Sequence, residues 1–287
     1  MQYWFIFNPK SGTNFQQKAA QIEAAAAAQA KLRAYEIVLK TTLHPGHATE
    51  LARQAVAQKA AVVVAVGGDG TVNEVARGLL GSDAALGIVP MGSGNGLARH
   101  LGISMNATEA VARVFGPNKQ LIDSALINNI PFFCTAGMGF DAYVAAQFAK
   151  QSRRGFATYI QTSLVSFWKY HPQNYRFNNQ TKQLFTLTFA NASQFGNNAY
   201  IAPRASMEDG LLDVCQLKPF SALGGIDVAW RLFGRSLDRS TFATIEQLPH
   251  LTVHTQNPPL IHYDGESLQL KTNEIRVQIV PKSLWVK

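Results

Sequence analysis

The sequence predicts an α/β plus mostly β protein, with a parallel α/β domain at the amino end and an antiparallel β-sandwich domain after it. Three observations lead there. Short apolar runs alternate with helical patterns through the first third, and period-two strands follow one another beyond residue 122. The length, 287 residues, suits two domains at roughly 100 to 200 residues each.

Taken in order, residues 2–7 read as a strand, 15–31 as an alanine-rich helix, 35–40 as a strand and 48–58 as a helix. The continuous apolar run 60–66 reads as a buried strand, 72–80 as a helix and 86–90 as another strand, before a helix through Leu97 and His100. Strand and helix repeated in this way form a parallel sheet covered on both faces, a Rossmann-like arrangement. The alanine run 24–28 needs no functional account, because alanine favours helix and lets it approach a sheet closely. Beyond residue 122, helices are expected over 141–150, 156–170 and 222–232. Strands are expected over 184–190, 211–217, 251–255, 260–263, 267–270 and 275–280. Strands at such short spacing pair antiparallel. No repeat and no Pro-, Gly- or Ser-rich linker intervenes, so the domains should abut, with a ligand cleft between them.

Composition narrows the partners. Lys and Arg number 26 against 18 Asp and Glu, a net charge of +8, which favours nucleotides, nucleic acid or an acidic membrane surface. Nucleic acid is disfavoured because no basic run with interleaved aromatics occurs. No apolar run reaches the ~18 residues of a spanning helix. Residues 1–9 lack a signal-peptide layout and 285–287 carry no prenylation motif, so a soluble, cytoplasmic protein is expected. Cys134 and Cys215 lie in apolar strand-like contexts and read as buried free thiols. His44 and His47 have half the spacing of a metal site, but without an acid or cysteine partner they read as loop residues.

The chemistry lies at the carboxyl ends of the strands, where ligands sit in open parallel sheets. The first strand runs into Asn8-Pro9-Lys10-Ser11-Gly12-Thr13, the third into Gly67-Gly68-Asp69-Gly70-Thr71-Val72-Asn73-Glu74, and the fourth into Gly92-Ser93-Gly94-Asn95-Gly96. Clustered glycines let several N–H groups turn toward one anion, which suits phosphates. A P-loop is excluded because no glycine precedes a lysine and a hydroxyl. A dinucleotide fingerprint is excluded because the first strand lacks Gly-x-Gly-x-x-Gly and the second ends in Lys40. Asp69, beside bound phosphate, needs a metal ion, a proton to abstract, or a hydrogen-bonding role that fixes its loop; capping the helix from Thr71 is the plainer alternative. Asp264-Gly265 is explained as a hairpin turn, which leaves Glu266 unexplained, and Glu208-Asp209-Gly210 reads as another hairpin.

These residues resemble the diacylglycerol kinase catalytic-domain superfamily, which includes bacterial lipid kinases and the sphingosine or long-chain-base kinases. The motifs that carry it are Asn8 to Gly12, Gly67 to Glu74, Gly92 to Asn95 and Asp264-Gly265-Glu266, in family order. The resemblance implies two domains, 1–122 with about 281–287 returning as the ATP-binding catalytic domain, and 123–280 as the lipid-acceptor domain. It implies ATP with Mg2+ as donor and a lipid hydroxyl as acceptor, in phospholipid biosynthesis at a membrane surface, with the protein cytoplasmic and peripheral to the membrane. A homodimer is left open. By matching position, Asn8, Pro9, Lys10, Ser11, Gly12, Thr42, Gly68, Asp69, Gly70, Thr71, Val72, Asn73, Glu74 and Ser93 are implied nucleotide contacts. Ser206, Asp209 and Leu211 are similar to a metal site in bacterial members, with Ser206 and Leu211 offering main-chain carbonyls. Glu266 matches the family's proton acceptor, whereas the sphingosine kinases give that role to the aspartate matching Asp69. Both remain candidates, expected to face each other across the cleft.

Bacterial diacylglycerol kinases commonly have Gly-Thr-x-Asn-Asp where Gly92 to Gly96 stand, and the form here is more similar to the long-chain-base kinases. The segment 139–145, however, has only Asp141, and that at a non-matching place, where sphingosine kinases are acidic. A kinase of a soluble acceptor and a catalytically silent binding protein are the competing functions. The aromatic pattern of helix 156–170, behind Lys150, Arg153 and Arg154, reads either as core packing or as the wall of an acyl-chain pocket near an anionic bilayer.

Overall fold

The computed structural model describes residues 1–12, 14–151 and 155–287. The chain divides into two compact units, Met1–Ile122 with Lys282–Lys287, and Asp123–Pro281.

Unit 1 is the parallel α/β unit. Its strands and helices are β1 (Gln2–Phe7), α1 (Phe15–Arg33), β2 (Glu36–Thr41), α2 (His47–Ala57), β3 (Val62–Gly67), α3 (Asp69–Leu79), β4 (Ala85–Pro90), α4 (Gly96–His100) and α5 (Ala107–Val114). The strand order is β2-β1-β3-β4, all parallel. β3 and β4 are buried throughout, as their unbroken apolar runs require, while β2 at the edge is half exposed. α1 packs beside α5 and α2 beside α3. The alanine run lies inside α1, where Ala26 is fully buried. Helix α5 was not expected from the sequence; its start is capped by Asn106, whose side chain accepts from Thr108 and Glu109 N–H. Helix α3 begins at Asp69, not at residue 72, with Gly68 at the cap and no side-chain capping bond, so Asp69 does not cap it.

Unit 2 is the antiparallel unit. Strand β5 (Gln120–Ile127) leads into β6 (Ile130–Phe132), β7 (Thr135–Gly139), α6 (Phe140–Ala149), α7 (Phe156–Phe167) and the hairpin β8 (Gln173–Phe177) and β9 (Gln180–Leu184). β10 (Thr186–Ala190), β11 (Leu212–Leu217), α8 (Ala222–Phe233), β12 (Ala243–Leu248), β13 (His250–Thr255), β14 (Leu260–Tyr263), β15 (Glu266–Gln269) and β16 (Glu274–Val286) follow. One sheet has the order β12-β11-β10-β7-β14-β15. It faces β5, β6, β8, β9, β13 and the first part of β16 across a shared core that includes Phe132, Tyr175, Phe189 and Val253, a sandwich of two sheets. The far side of the β12–β15 sheet is covered by a second core to which the helices contribute Phe140, Phe167 and Val228. Cys134 and Cys215 are buried free thiols, and burial pushes the Cys215 thiol well up. β16 passes through both units: Ile275 and Val277 pair with β13, and Val286 pairs with Leu86 of β4. No helix among the described residues is long and apolar enough to cross a membrane.

Candidate functional site

Register brings the loops of unit 1 together. Phe7 pairs with Thr41 on one side and Val66 on the other, and Gly67 pairs with Pro90, so the parallel strands end level. The chain leaves β1 toward β2 and later returns to place β3 on the other side of β1. The topological switch point therefore lies between β1 and β3, where open α/β sheets bind ligands. Residues 8–12 and Gly68 flank that point.

The loops are bonded to one another. Asn8 donates through Nδ2 to Thr71 Oγ1 (2.9 Å), its Oδ1 accepts from Lys10 N–H (3.0 Å), and Gly68 N–H donates to Ser11 Oγ (3.3 Å). Thr42 is buried and donates its N–H to Phe7 carbonyl (2.8 Å), which places the start of the β2–α2 loop at the same edge. Gly12 has φ of +73°, and a Cβ there would collide with the Met91 carbonyl oxygen. A Cβ on Gly92 would lie 2.9 Å from Gly68 Cα. These two glycines are thus required by close approach between loops. Pro9, Lys10 and Ser93 are exposed on the same loops.

Asp69 ties the second loop to the third. Its Oδ2 accepts from Asn95 N–H (2.8 Å) and its Oδ1 from Gly96 N–H (2.7 Å). Asn95, left-handed at φ 51°, closes the same loop by accepting from Gly92 N–H and donating to Gly92 carbonyl. Of the sequence alternatives for Asp69, the structure displays the loop-fixing one. Glu74 faces elsewhere: its carboxylate accepts from Gly46 and Ala48 N–H (2.9 and 3.1 Å) and fixes the start of α2. Thr71, Val72 and Asn73 are buried inside α3. The first-turn N–H groups of α3, from Asp69 and Gly70 onward, lack carbonyls one turn back and carry the positive end of its dipole. They suit an anion such as a phosphate, and Lys10 is an exposed cation on the first loop.

In unit 2, Glu266 opens β15 and pairs with Tyr263 across the Asp264-Gly265 turn, whose φ values are 45° and 87°. Asp264 is more than a turn residue, which sequence reasoning missed. Its Oδ2 accepts from Phe133 N–H (2.8 Å), and its Oδ1 from Cys134 (2.8 Å) and Thr135 (3.1 Å). The turn is thereby anchored to the start of β7, leaving the Glu266 carboxylate exposed on a fixed hairpin.

A buried polar group lies two residues before that turn. Asp141 Oδ2 accepts from Thr188 Oγ1 (2.6 Å) and meets His262 Nε2 at 2.9 Å, and its Oδ1 accepts from Ala142 N–H. Burial alone would push the Asp141 carboxyl up, but the His262 ring and the hydroxyl donors outweigh it and hold it below the usual range. The same burial and the Asp141 charge push Tyr159 up to about 12. His262 does not stand out in the sequence, where a lone histidine in a strand gives no signal.

The 206–211 turn is not a hairpin, because residues 191–211 contain no strand. Gly210 N–H donates to Oδ2 of the buried Asp123 (2.8 Å), and Leu211 N–H to Asp209 Oδ1 (3.1 Å). Asp213 Oδ2 is buried with no hydrogen-bond partner among the described residues. Burial raises Asp213 to about 6 despite its bond with Gln247, with Asp209 adding to the rise. An all-oxygen donor set, with an uncompensated carboxylate oxygen two residues on, suits a hard cation such as Mg2+.

Near α2, the sequence expectation for the histidines is corrected. Glu50 supplies the acid that was missing, and ligand atoms of His44, His47 and Glu50 lie within 4.8 Å of one another. His47 Nδ1 is engaged by Leu43 N–H (3.1 Å) and the two rings stack at 4.7 Å, so the group also closes the turn into α2. Arg153 and Arg154, expected with Lys150 to face an anionic surface, lie outside the described residues.

A diacylglycerol kinase from Bacillus anthracis str. Sterne has the same fold, with a TM-score of 0.75 at 19% identity over 99% of this chain and 96% of that one. Residues 2–127 match the diacylglycerol kinase catalytic domain, and residues 134–287 match the YegS C-terminal NAD kinase beta sandwich-like domain. A Pseudomonas aeruginosa (strain UCBPP-PA14) protein named "Probable lipid kinase YegS-like" is 30% identical over 93% of this chain and 89% of its own length. One of the same name from Chromohalobacter salexigens is 28% identical over 92% and 86%. The chain belongs to this YegS-like lipid kinase family, built from a diacylglycerol kinase catalytic domain and its β-sandwich partner.

Proposed function

We propose that the protein transfers the terminal phosphoryl group of ATP, with Mg2+, to a hydroxyl of a membrane lipid such as diacylglycerol or a long-chain base. The observation that carries this reading is the switch-point edge, where Asp69 and Asn8 lock three glycine loops into one cradle. Phosphoryl transfer depends on positioning and charge neutralisation more than on covalent chemistry, and a rigid array of main-chain N–H groups with Lys10 supplies both. Asp69 is a positioning residue in this reading, since both of its oxygens hold the loop. Glu266, exposed on its anchored hairpin, orients the acceptor hydroxyl and takes its proton. Asp209, with the main-chain carbonyls of Ser206 and Leu211, would hold Mg2+. When bound, the ion there neutralises local carboxylate charge, Asp213 included.

The test is incubation with labelled ATP, Mg2+ and a total lipid extract, followed by separation of the organic and aqueous phases. Label is expected in one lipid class. Label confined to a water-soluble acceptor, or to released phosphate, would overturn the reading.

A further inference from the structure

Among the described residues, most of the exposed large hydrophobic side chains lie on or directly after helices α7 and α8, and neither motif nor fold accounts for them. On α8, Leu223, Ile226, Trp230 and Phe233 recur at helical spacing along one stripe. Leu223 and Trp230 are each 79% exposed and Ile226 is 67% exposed. Only Val228 of α8 is buried. On α7 the buried positions are Thr162 and Ser166, while Leu164, Val165 and the following Trp168 face outward.

The helices run antiparallel within unit 2 and meet through aromatic rings at both ends. Phe156 at the start of α7 meets Phe233 at the end of α8 edge-on at 6.2 Å, and Phe167 at the other end stacks with Phe220, just ahead of α8. Trp168 and Trp230 therefore stand toward opposite ends of one two-helix face. A stripe of this size in contact with water is a liability unless something covers it.

The charges around the face select the cover. α7 has no acidic residue, and the one on α8, Asp227, is held by Arg231 Nε at 2.8 and 3.0 Å. Asp238, beyond α8, is paired with Arg204 at 2.7 Å. Exposed cations flank both helices: Lys169 follows Trp168, Lys218 precedes α8, and Arg235 and Arg239 follow it. Apolar stripe, tryptophan at the ends and cationic rim together match a bilayer interface with anionic headgroups, to which basic residues near the surface are attracted.

We propose that the α7–α8 face docks on an anionic lipid bilayer, with Leu223, Ile226, Trp168 and Trp230 entering the headgroup boundary. This rests on the lipid-kinase reading for its purpose, since a lipid acceptor must be met in its membrane, but not for its test.

The test uses the whole protein without ATP and vesicles of phosphatidylcholine with or without phosphatidylglycerol. Tryptophan emission should shift to the blue on phosphatidylglycerol vesicles, and sedimentation with them should fall at least tenfold in a Leu223→Ser/Trp230→Ser variant. Circular dichroism and the unfolding midpoint show whether that variant is folded, and Trp230→Phe, which keeps the apolar surface, should retain binding. Equal sedimentation of wild type and the folded double variant, or none of either, would overturn the proposal. So would a concentration-dependent dimer abolished by the same variant, which would assign the face to a second copy. Phosphorylation of extracted lipid in detergent micelles is read separately, so docking and catalysis can fail independently.

Discussion

Asp69 and Glu266 are both acids in glycine-containing turns, and their surroundings differ. Asp69 accepts two main-chain hydrogen bonds from Asn95 and Gly96, so Asp69→Ala should cost about 1–3 kcal/mol for donors left unpaired. Urea unfolding checks that cost, and transfer should be lost along with it. Glu266 is exposed, so Glu266→Gln should leave the unfolding midpoint unchanged while lowering the transfer rate by about 10²–10⁴. If Glu266→Gln kept full activity and Asp69→Asn abolished it without destabilisation, the assignment would be reversed. Both residues are legible as candidates in the sequence, whereas the difference in their surroundings is not. Asp69 meets partners 26 and 27 positions away, and that contact depends on the register of β3 against β4. The anchoring role of Asp264 is hidden for the same reason, since its three donors lie 129 to 131 positions away.

At the scale of elements, the buried strands β1, β3 and β4 are the easiest to read, because their unbroken apolar runs are of strand length and too short for a helix. Of the strands that the sequence does not reveal, β5, β6 and β7 are short or interrupted by small and polar residues, and β8 and β9 are polar. β8 and β9 carry Gln, Asn, Arg and Lys on their outer positions, and the sign of their hairpin is the Asn178-Asn179 turn at φ 48° and 59°. Asn128 and Asn129 join β5 to β6 in the same way, at 45° and 66°. Asparagine pairs at left-handed φ are a turn signal as real as Asp-Gly, and here they mark the two hairpins that hydrophobic periodicity misses. The glycine loops invite a direct test. Gly12→Ala meets both an unfavourable φ and the Met91 carbonyl, so it should cost about 1–2 kcal/mol from φ alone and separate the first loop from the third. The stabilisation that ATP confers against thermal unfolding should then be reduced, while Gly81→Ala, with positive φ but open space and no place at the switch-point edge, should leave it intact.

For the whole molecule, acid and base stability have opposite sources in unit 2. The Asp141 carboxyl is held below its ordinary value, so its contribution is present above the unfolded carboxylate range and is lost as pH falls through the folded value. Breaking the pair with His262→Ala should cost about 3–5 kcal/mol near neutrality. Asp213, raised to about 6, has the opposite sign: the folded state holds its proton more tightly, so this contribution fades as pH rises from the unfolded carboxylate range to about 6. Asp213→Asn should therefore raise the unfolding midpoint at pH 8 and have little effect at pH 4, and urea titrations at the two values check it. None of this is visible in the sequence, which shows the acids but not which of them are dry. The fold class is visible, because two periodicities separate the two kinds of sheet. The last strand carries a consequence of another kind. β16 serves unit 2 through Ile275 and Val277 and then, through Val286, lines up beside β4 in unit 1, where Lys287 N–H also donates to Leu86 carbonyl. A ribosome delivers those residues only after every residue of unit 2 has been added, so the parallel sheet stays one strand short until then. Order of manufacture thus delays completion of unit 1 until unit 2 has been made.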